Sequence, residues 1–159
     1  MRVCYGAGAV TRIFVDGDAC PTKSEVYRVA LRHDLKVYVV SCGPLHVPAR
    51  GRVEHIRVAR GVDGADDWIA EHAGSGDIVV TADLPLAARC LAVGAQAIAP
   101  NGTVFSPESI GDVLATRDLL DNLRQMGVAT GGPPPFGPSD RARFLSRLGA
   151  AIQAARGGG

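Results

Sequence analysis

The sequence has few features that would assign it to a class at once. Only Lys23 and Lys36 are lysines among 17 basic residues, and the formal net charge is +1, so overall charge indicates neither a nucleic-acid-coated protein nor an acidic tail. The four cysteines lie far apart with no C-x-x-C pair, which favours reduced thiols in a cytoplasmic protein. Because no apolar run is long enough to cross a bilayer, we expect no membrane partner.

The length of 159 residues and the 47% share of hydrophobic residues suit one domain with a single core. The first segment, residues 1–11, has no apolar leader and is expected to be poorly ordered. Residues 12–129 form the predicted α/β domain. Residues 130–159 are a Gly/Pro loop and a C-terminal helix that we expect to pack on the same domain.

Strand and helix patterns alternate along the chain. Strands are predicted for a short run that ends at Asp16 and for residues 36–42, 52–59, 77–83 and 95–100. Pro21 and Pro85 are placed to open the helices that follow the first and fourth strands, and Ser139 to cap the final helix. This alternation predicts an α/β fold, with a mostly parallel central sheet in a three-layer α/β/α arrangement plus C-terminal helices.

Aspartates follow three of the predicted strands. In a parallel sheet the carboxyl ends of the strands share one edge, where ligands collect. We therefore expect six carboxylates to meet there, namely Asp16, Asp18, Asp63, Asp66, Asp67 and Asp83. Asp77 begins its strand and is excluded.

Six neighbouring carboxylates would repel one another unless a cation neutralised them. Oxygen ligands without His or Cys favour Mg²⁺ or Mn²⁺, which also bind phosphate oxygens and can activate water. The pattern predicts metal-assisted phosphodiester hydrolysis, in which Asp18 orients water or a second ion.

Several of these residues have a purely structural alternative. Asp63 and Asp66 could form an acidic capping box with Asp67 on the solvated face, and Asp83 could cap the helix that Pro85 opens. Asp16 is harder to explain in this way, because an unpartnered carboxylate at the end of a buried strand is costly.

Four polar residues are candidates for substrate binding. Lys23 or Arg50 would neutralise a phosphate, and Ser41 and Thr81, near strand ends, would position water or phosphate. Residues 48–60 hold four arginines and begin in a loop that we expect on the aspartate edge, which suits a phosphate-binding patch or a solvated strand equally. Cys20 stands near a predicted helix start, where its thiol is either activated or simply buried.

Five blocks occur in an order that resembles one family. The blocks are "FVDGDACP", "GVDGADDWI", "GDIVVTADLPLA", "NGTVF" and "TGGPPPFGPSDRARF". Together they resemble the YaiI/YqxD family of uncharacterised bacterial proteins from about Arg12 to Leu148. Gly17 and Gly64 stand where that pattern usually has Ala.

That family is similar to the PIN-domain superfamily, whose α/β/α members bind Mg²⁺ or Mn²⁺ through strand-end acids and cut RNA or DNA. The resemblance implies a metal site formed by Asp16, Asp63 or Asp67, and Asp83, with Asp18 and Asp66 as accessory acids. It also implies a nuclease, and we expect RNA rather than DNA as its substrate. The alternatives are a haloacid-dehalogenase-like phosphatase with Asp16 as nucleophile, and an RNA-binding protein that does not cut. A homo-oligomer is compatible with all three.

Overall fold

The computed structural model describes residues 11–59, 64–111 and 136–157. The strands are β1 (Arg12–Asp16), β2 (Lys36–Ser41), β3 (Arg52–Arg57), β4 (Ile78–Val80), β5 (Gln96–Ile98) and β6 (Val104–Phe105). The helices are α1 (Lys23–His33), α2 (Gly64–His72), α3 (Leu84–Ala92), α4, of which residues 107–111 are described, and α5 (Pro138–Gly157).

The strands form one sheet in the order β3-β2-β1-β4-β5-β6. The pairs among β1 to β5 are parallel, and only β6 runs antiparallel to its neighbour. The sheet therefore has a carboxyl edge, where Asp16, Ser41, Arg57, Val80 and Ile98 end their strands, and an amino edge, where Arg12, Lys36, Arg52, Ile78 and Gln96 begin them.

Alternate residues of β1 face opposite layers of helices. Ile13 and Val15 lie in the core beneath α1 and α5, whereas Phe14 lies in the core beneath α2 and α3. All three are fully buried, and each such side chain contributes about 1.5 to 3 kcal/mol through removal from water. The three-layer α/β/α prediction is confirmed.

The helix starts differ from expectation in two places. As predicted, Pro85 lies in the first turn of α3. Pro21 does not open α1, because a turn of 3₁₀ helix (Gly17–Ala19) and an extended Cys20 come first and Thr22 becomes the cap residue. Ser139 does not cap α5, which begins one residue earlier, and Asp140 instead accepts the Gly137 N–H at 2.9 Å.

The short strand β6 has no counterpart in the prediction. Two residues carry too little periodicity to indicate a strand, and its pairing with β5 depends on the turn at Gly102. Gly102 has φ +95°, and a Cβ there would lie 2.5 Å from Arg143 Cγ, so glycine is needed for α5 to pack. Within the described ranges, no helix is long and apolar enough to cross a membrane.

Candidate functional site

The carboxyl edge brings together acids from β1 and from the connection after β4. Asp16 is the last residue of β1, and Asp18 lies in the 3₁₀ turn that follows. Asp83 follows β4 by three residues. Because Val15 pairs with Val80, the two strands end side by side and their loops share one space.

A buried threonine links Asp16 to Asp83. Thr81 Oγ1 donates to Asp16 Oδ2 at 3.3 Å and accepts the backbone N–H of Asp83 at 3.0 Å. Asp83 Oδ1 in turn accepts the Leu86 N–H at 2.8 Å, which caps α3. Asp83 therefore does cap α3, as the structural alternative expected, but it uses one oxygen for this. The same side chain still lies close enough to Asp16 to act on its charge.

Asp18 is held from the opposite side by the end of β2. Both of its carboxylate oxygens accept the Cys42 N–H, at 3.3 and 3.1 Å, while the side chain remains exposed. This contact fixes the turn that carries Asp18 against the neighbouring strand.

The charges of these acids act on one another. Burial raises the pKa of Asp16, and the negative charges of Asp18 and Asp83 raise it further, against hydrogen bonds from Thr81 and from the backbone at Asp18 that lower it. No Lys, Arg or His of the described ranges forms an ion pair with any of the three acids. Within the described residues, the carboxyl edge thus holds three acids that have no ion-pair partner.

The acids of α2 point elsewhere. Asp67 forms an exposed ion pair with Arg89 of α3 at 2.9 Å, and Asp66 acts electrostatically on Arg89 and Cys90. Asp63 lies outside the described residues. Of the six predicted acids, three therefore come together, two lie along the α2–α3 contact and one is not described.

Across the described part of the chain, no group of three or more His, Cys, Asp and Glu side chains is arranged to hold a metal ion. Backbone N–H groups already occupy part of this set of oxygens. Asp18 accepts the Cys42 N–H, and one oxygen of Asp83 accepts the Leu86 N–H. A cation at this edge would be held by part of this set, with water completing its shell.

Two of the predicted substrate-binding residues are engaged with the backbone of the same edge. Lys23 Nζ donates to the carbonyls of Gly17 at 3.2 Å and Cys20 at 2.8 Å, which ties down the turn that bears Asp18. Ser41 is fully buried and its Oγ lies 2.7 Å from both Gly43 O and His55 Nε2. If its hydroxyl proton goes to Gly43 O, the His55 ring must donate to it.

The expectation for Arg50 is wrong. Arg50 lies two residues before β3, whose first residue Arg52 pairs with Lys36, so the loop that contains it reaches the amino edge. Gly51 beside it has φ +83° and lies against Leu31, near the end of α1. Among the described arginines of this segment, Arg57, the last residue of β3, reaches the carboxyl edge.

Cys20 fits its structural alternative. Its side chain is buried within the core beneath α1, and burial raises the pKa of its thiol despite hydrogen bonds from Thr22 and the nearby charge of Lys23. A raised pKa disfavours the thiolate, so this cysteine packs as a small apolar residue.

A buried acid that the sequence analysis did not assign connects α1 to α5. The carboxylate oxygens Oε1 and Oε2 of Glu25 accept hydrogen bonds from Arg141 Nη1 at 3.1 and 3.2 Å. The same nitrogen donates to Pro21 O at 3.0 Å. The Arg141 guanidinium also lies 4.9 Å from the ring centroid of Phe136. Burial would raise the pKa of Glu25, but hydrogen bonds from its own backbone and Ser24 and the charge of Arg141 lower it overall. This contact fixes the chain just after the aspartate turn, and no sequence pattern pairs residues so far apart.

Comparison with known proteins identifies the chain's relatives. The family model described as "Uncharacterized BCR, YaiI/YqxD family" matches residues 14–154. A UPF0178 protein of Rhodopseudomonas palustris is 56% identical over 145 residues, 91% of this chain and 92% of the relative. One from Azorhizobium caulinodans is 56% identical over 88% of each chain, and one from Bradyrhizobium diazoefficiens is 55% identical over 87% of this chain and 83% of the relative. No solved structure matches the chain significantly. The chain belongs to the YaiI/YqxD family.

Proposed function

We propose that the protein is a metal-dependent nuclease that hydrolyses phosphodiester bonds, with RNA, ahead of DNA, as its proposed substrate. The supporting observation is the convergence of Asp16, Asp18 and Asp83 at the carboxyl edge, where none of them forms an ion pair with a described residue and the nearby Lys23 ammonium is bonded to backbone carbonyls instead. Like charges that a fold keeps together without a partner are typical of sites that receive a cation.

The donors suit a hard divalent ion. The converging groups offer carboxylate and hydroxyl oxygens, which Mg²⁺ and Mn²⁺ prefer. Asp16 and Asp83 would hold the ion, with one acid from residues 63–67. Because Arg89 already engages Asp67, Asp63 is our first choice for that third acid. When bound, the ion would polarise a phosphate oxygen and promote ionisation of water.

The protein's own groups then have distinct roles. Thr81 donates to one oxygen of Asp16 and thereby orients its carboxylate. Asp83 uses one oxygen to cap α3, and its other oxygen, which accepts no hydrogen bond from a described residue, would bind the ion. Asp18 lies at the exposed rim, where it can orient water beside the reacting phosphate.

The test is Mn²⁺ titration by calorimetry together with cleavage of a labelled single-stranded RNA. Asp16→Asn should abolish both Mn²⁺ binding and cleavage while the protein stays folded. Glu54→Gln is the matched control, because it also removes one carboxylate, but from the Lys36 ion pair at the amino edge.

Equal Mn²⁺ affinity in the wild type and Asp16→Asn would contradict the proposal. RNA binding without cleavage in Mn²⁺ would favour the non-catalytic alternative, and a trapped phosphate ester on Asp16 would favour the phosphatase.

A further inference from the structure

The two flanks of the aspartates differ in charge. On the flank formed by α2 and α3, the Arg89 guanidinium is paired with Asp67. On the flank formed by β2 and β3, Arg57 is exposed and forms no ion pair with any described residue. A polyanion that extends from the aspartates towards β3 would therefore meet Arg57, a cation with no ion-pair partner among the described residues.

Arg57 is tied to the same loop that holds Asp18. Its Nε–H donates to Cys42 O at 3.4 Å, and the N–H of that same Cys42 is donated to the Asp18 carboxylate. One residue thus connects the cation and the acid. The terminal nitrogens of the Arg57 guanidinium donate to no described residue, which leaves them to bind an anion.

The register sets the distance between the strand ends that carry this cation and Asp16. Asp16 pairs with Val40, which pairs with Ile56, and Arg57 is the next residue. Two strand spacings separate the ends of β1 and β3 by ~10 Å. A polymer with a phosphate on every unit can contact both strand ends at once, so it suits this separation better than a single phosphodiester group does.

We propose that Arg57 binds a backbone phosphate of single-stranded nucleic acid that runs from the aspartates across the carboxyl ends of β2 and β3. The planar guanidinium can donate two parallel hydrogen bonds to a phosphate. The inference deepens the proposed function: it makes the substrate a polymer and gives it a direction of exit.

The experiment measures binding of a fluorescently labelled single-stranded oligoribonucleotide of mixed sequence by anisotropy, in EDTA, over a range of salt concentrations. Arg57→Gln is compared with Arg52→Gln. The two arginines begin and end the same strand, both are exposed, and each donates to one backbone carbonyl, Arg52 to Asp34 O at 3.2 Å. They differ in the edge they occupy.

We expect Arg57→Gln to weaken binding about tenfold, because a charge-assisted bond is lost. The slope of log affinity against log salt should fall by about 1. Arg52→Gln should bind like the wild type. Equal affinities of the two variants, or no RNA binding by the wild type, would overturn the inference.

The outcome separates the inference from the proposed function. A wild type that cleaves RNA in Mn²⁺, with Arg57→Gln binding as well as Arg52→Gln, would overturn the role of Arg57 and leave the nuclease standing. RNA binding that depends on Arg57, with no cleavage in Mn²⁺, would support the role of Arg57 and overturn the nuclease.

Discussion

The two ends of β1 carry charges that the fold treats in opposite ways. At the amino edge, Arg12 pairs with Asp77 at 2.7 Å, and the carboxylate also accepts the N–H groups of Arg12 and Gly74. At the carboxyl edge, Asp16 faces Asp18 and Asp83, whose charges raise its pKa after burial has already done so. One strand thus ends in a paired ion at one side and in clustered like charges at the other.

The paired charges at the amino edge stabilise the fold, whereas the clustered acids at the carboxyl edge destabilise it. A buried, fully hydrogen-bonded pair such as Arg12–Asp77 satisfies every group it brings out of water. The carboxyl-edge acids accept hydrogen bonds but form no ion pair with a described residue, so their mutual repulsion lowers the free energy of unfolding unless a ligand neutralises them. Substitutions at the amino edge should therefore lower stability and leave ion binding unchanged. Substitutions at the carboxyl edge should weaken ion binding and leave stability unchanged or raised.

The largest effect on stability is expected at the amino edge. Asp77 is 4% exposed in its side chain, and Asp77→Leu leaves the Arg12 guanidinium half-enclosed without its partner. We expect a loss of about 3 kcal/mol in the free energy of unfolding, measured by urea denaturation. Mn²⁺ affinity of the folded protein should be unchanged. A variant as stable as the wild type would show that the pair contributes nothing.

The next effect is expected at the carboxyl edge and concerns binding. Asp83→Asn removes the charge but keeps an oxygen that can cap α3, because Asn is a good cap residue. Mn²⁺ affinity should fall about 100-fold, whereas the melting temperature should stay the same or rise. Asp83→Ala is the matched variant, since it removes the cap as well and should cost about 1 kcal/mol in stability. Unchanged Mn²⁺ affinity in both variants would place the ion elsewhere.

A smaller effect is expected where α5 meets α1. Arg141→Met removes the closer of the two cations of the buried Glu25 and leaves only the exposed Arg28 at 3.9 Å, so we expect a loss of about 1 to 2 kcal/mol in the free energy of unfolding. Adding Glu25→Gln should recover part of that loss, because the remaining group no longer carries a buried charge. Additive losses in the double variant would contradict the coupling.

The meeting of Asp16 with Asp83 was predictable, since parallel strands place their carboxyl ends at one edge whatever their order in the sheet. The path of the loop before β3 was not, because residues 42–51 carry no periodicity that shows which edge they reach, and Arg50 was misplaced for that reason. The partner of Glu25 lies 116 residues away on α5, and only tertiary packing brings them together. Local pattern thus fixes strand ends, while loop paths and helix docking depend on the assembled core.

The smallest effect is a pair of opposite pH dependences in the metal-free protein. The pKa of Asp16 is raised above its ordinary value of 3.8, chiefly by burial, so the folded state holds this proton more tightly than the unfolded chain does. Its contribution to stability is therefore lost as pH rises from about 3.8 through the raised folded value.

Glu25 has the opposite sign, because its pKa is lowered overall, and its contribution is lost as pH falls through that lowered value. Each contribution should amount to less than about 1 kcal/mol after solvent screening. Urea denaturation across this pH range should show Asp16→Asn gaining stability relative to the wild type as pH rises, and Glu25→Gln losing it. Saturating Mn²⁺ should reverse the first difference, because an ion held by ionised Asp16 makes that carboxylate stabilising. If Mn²⁺ left the difference between the wild type and Asp16→Asn unchanged, then the clustered charges of the carboxyl edge would not be what receives the ion.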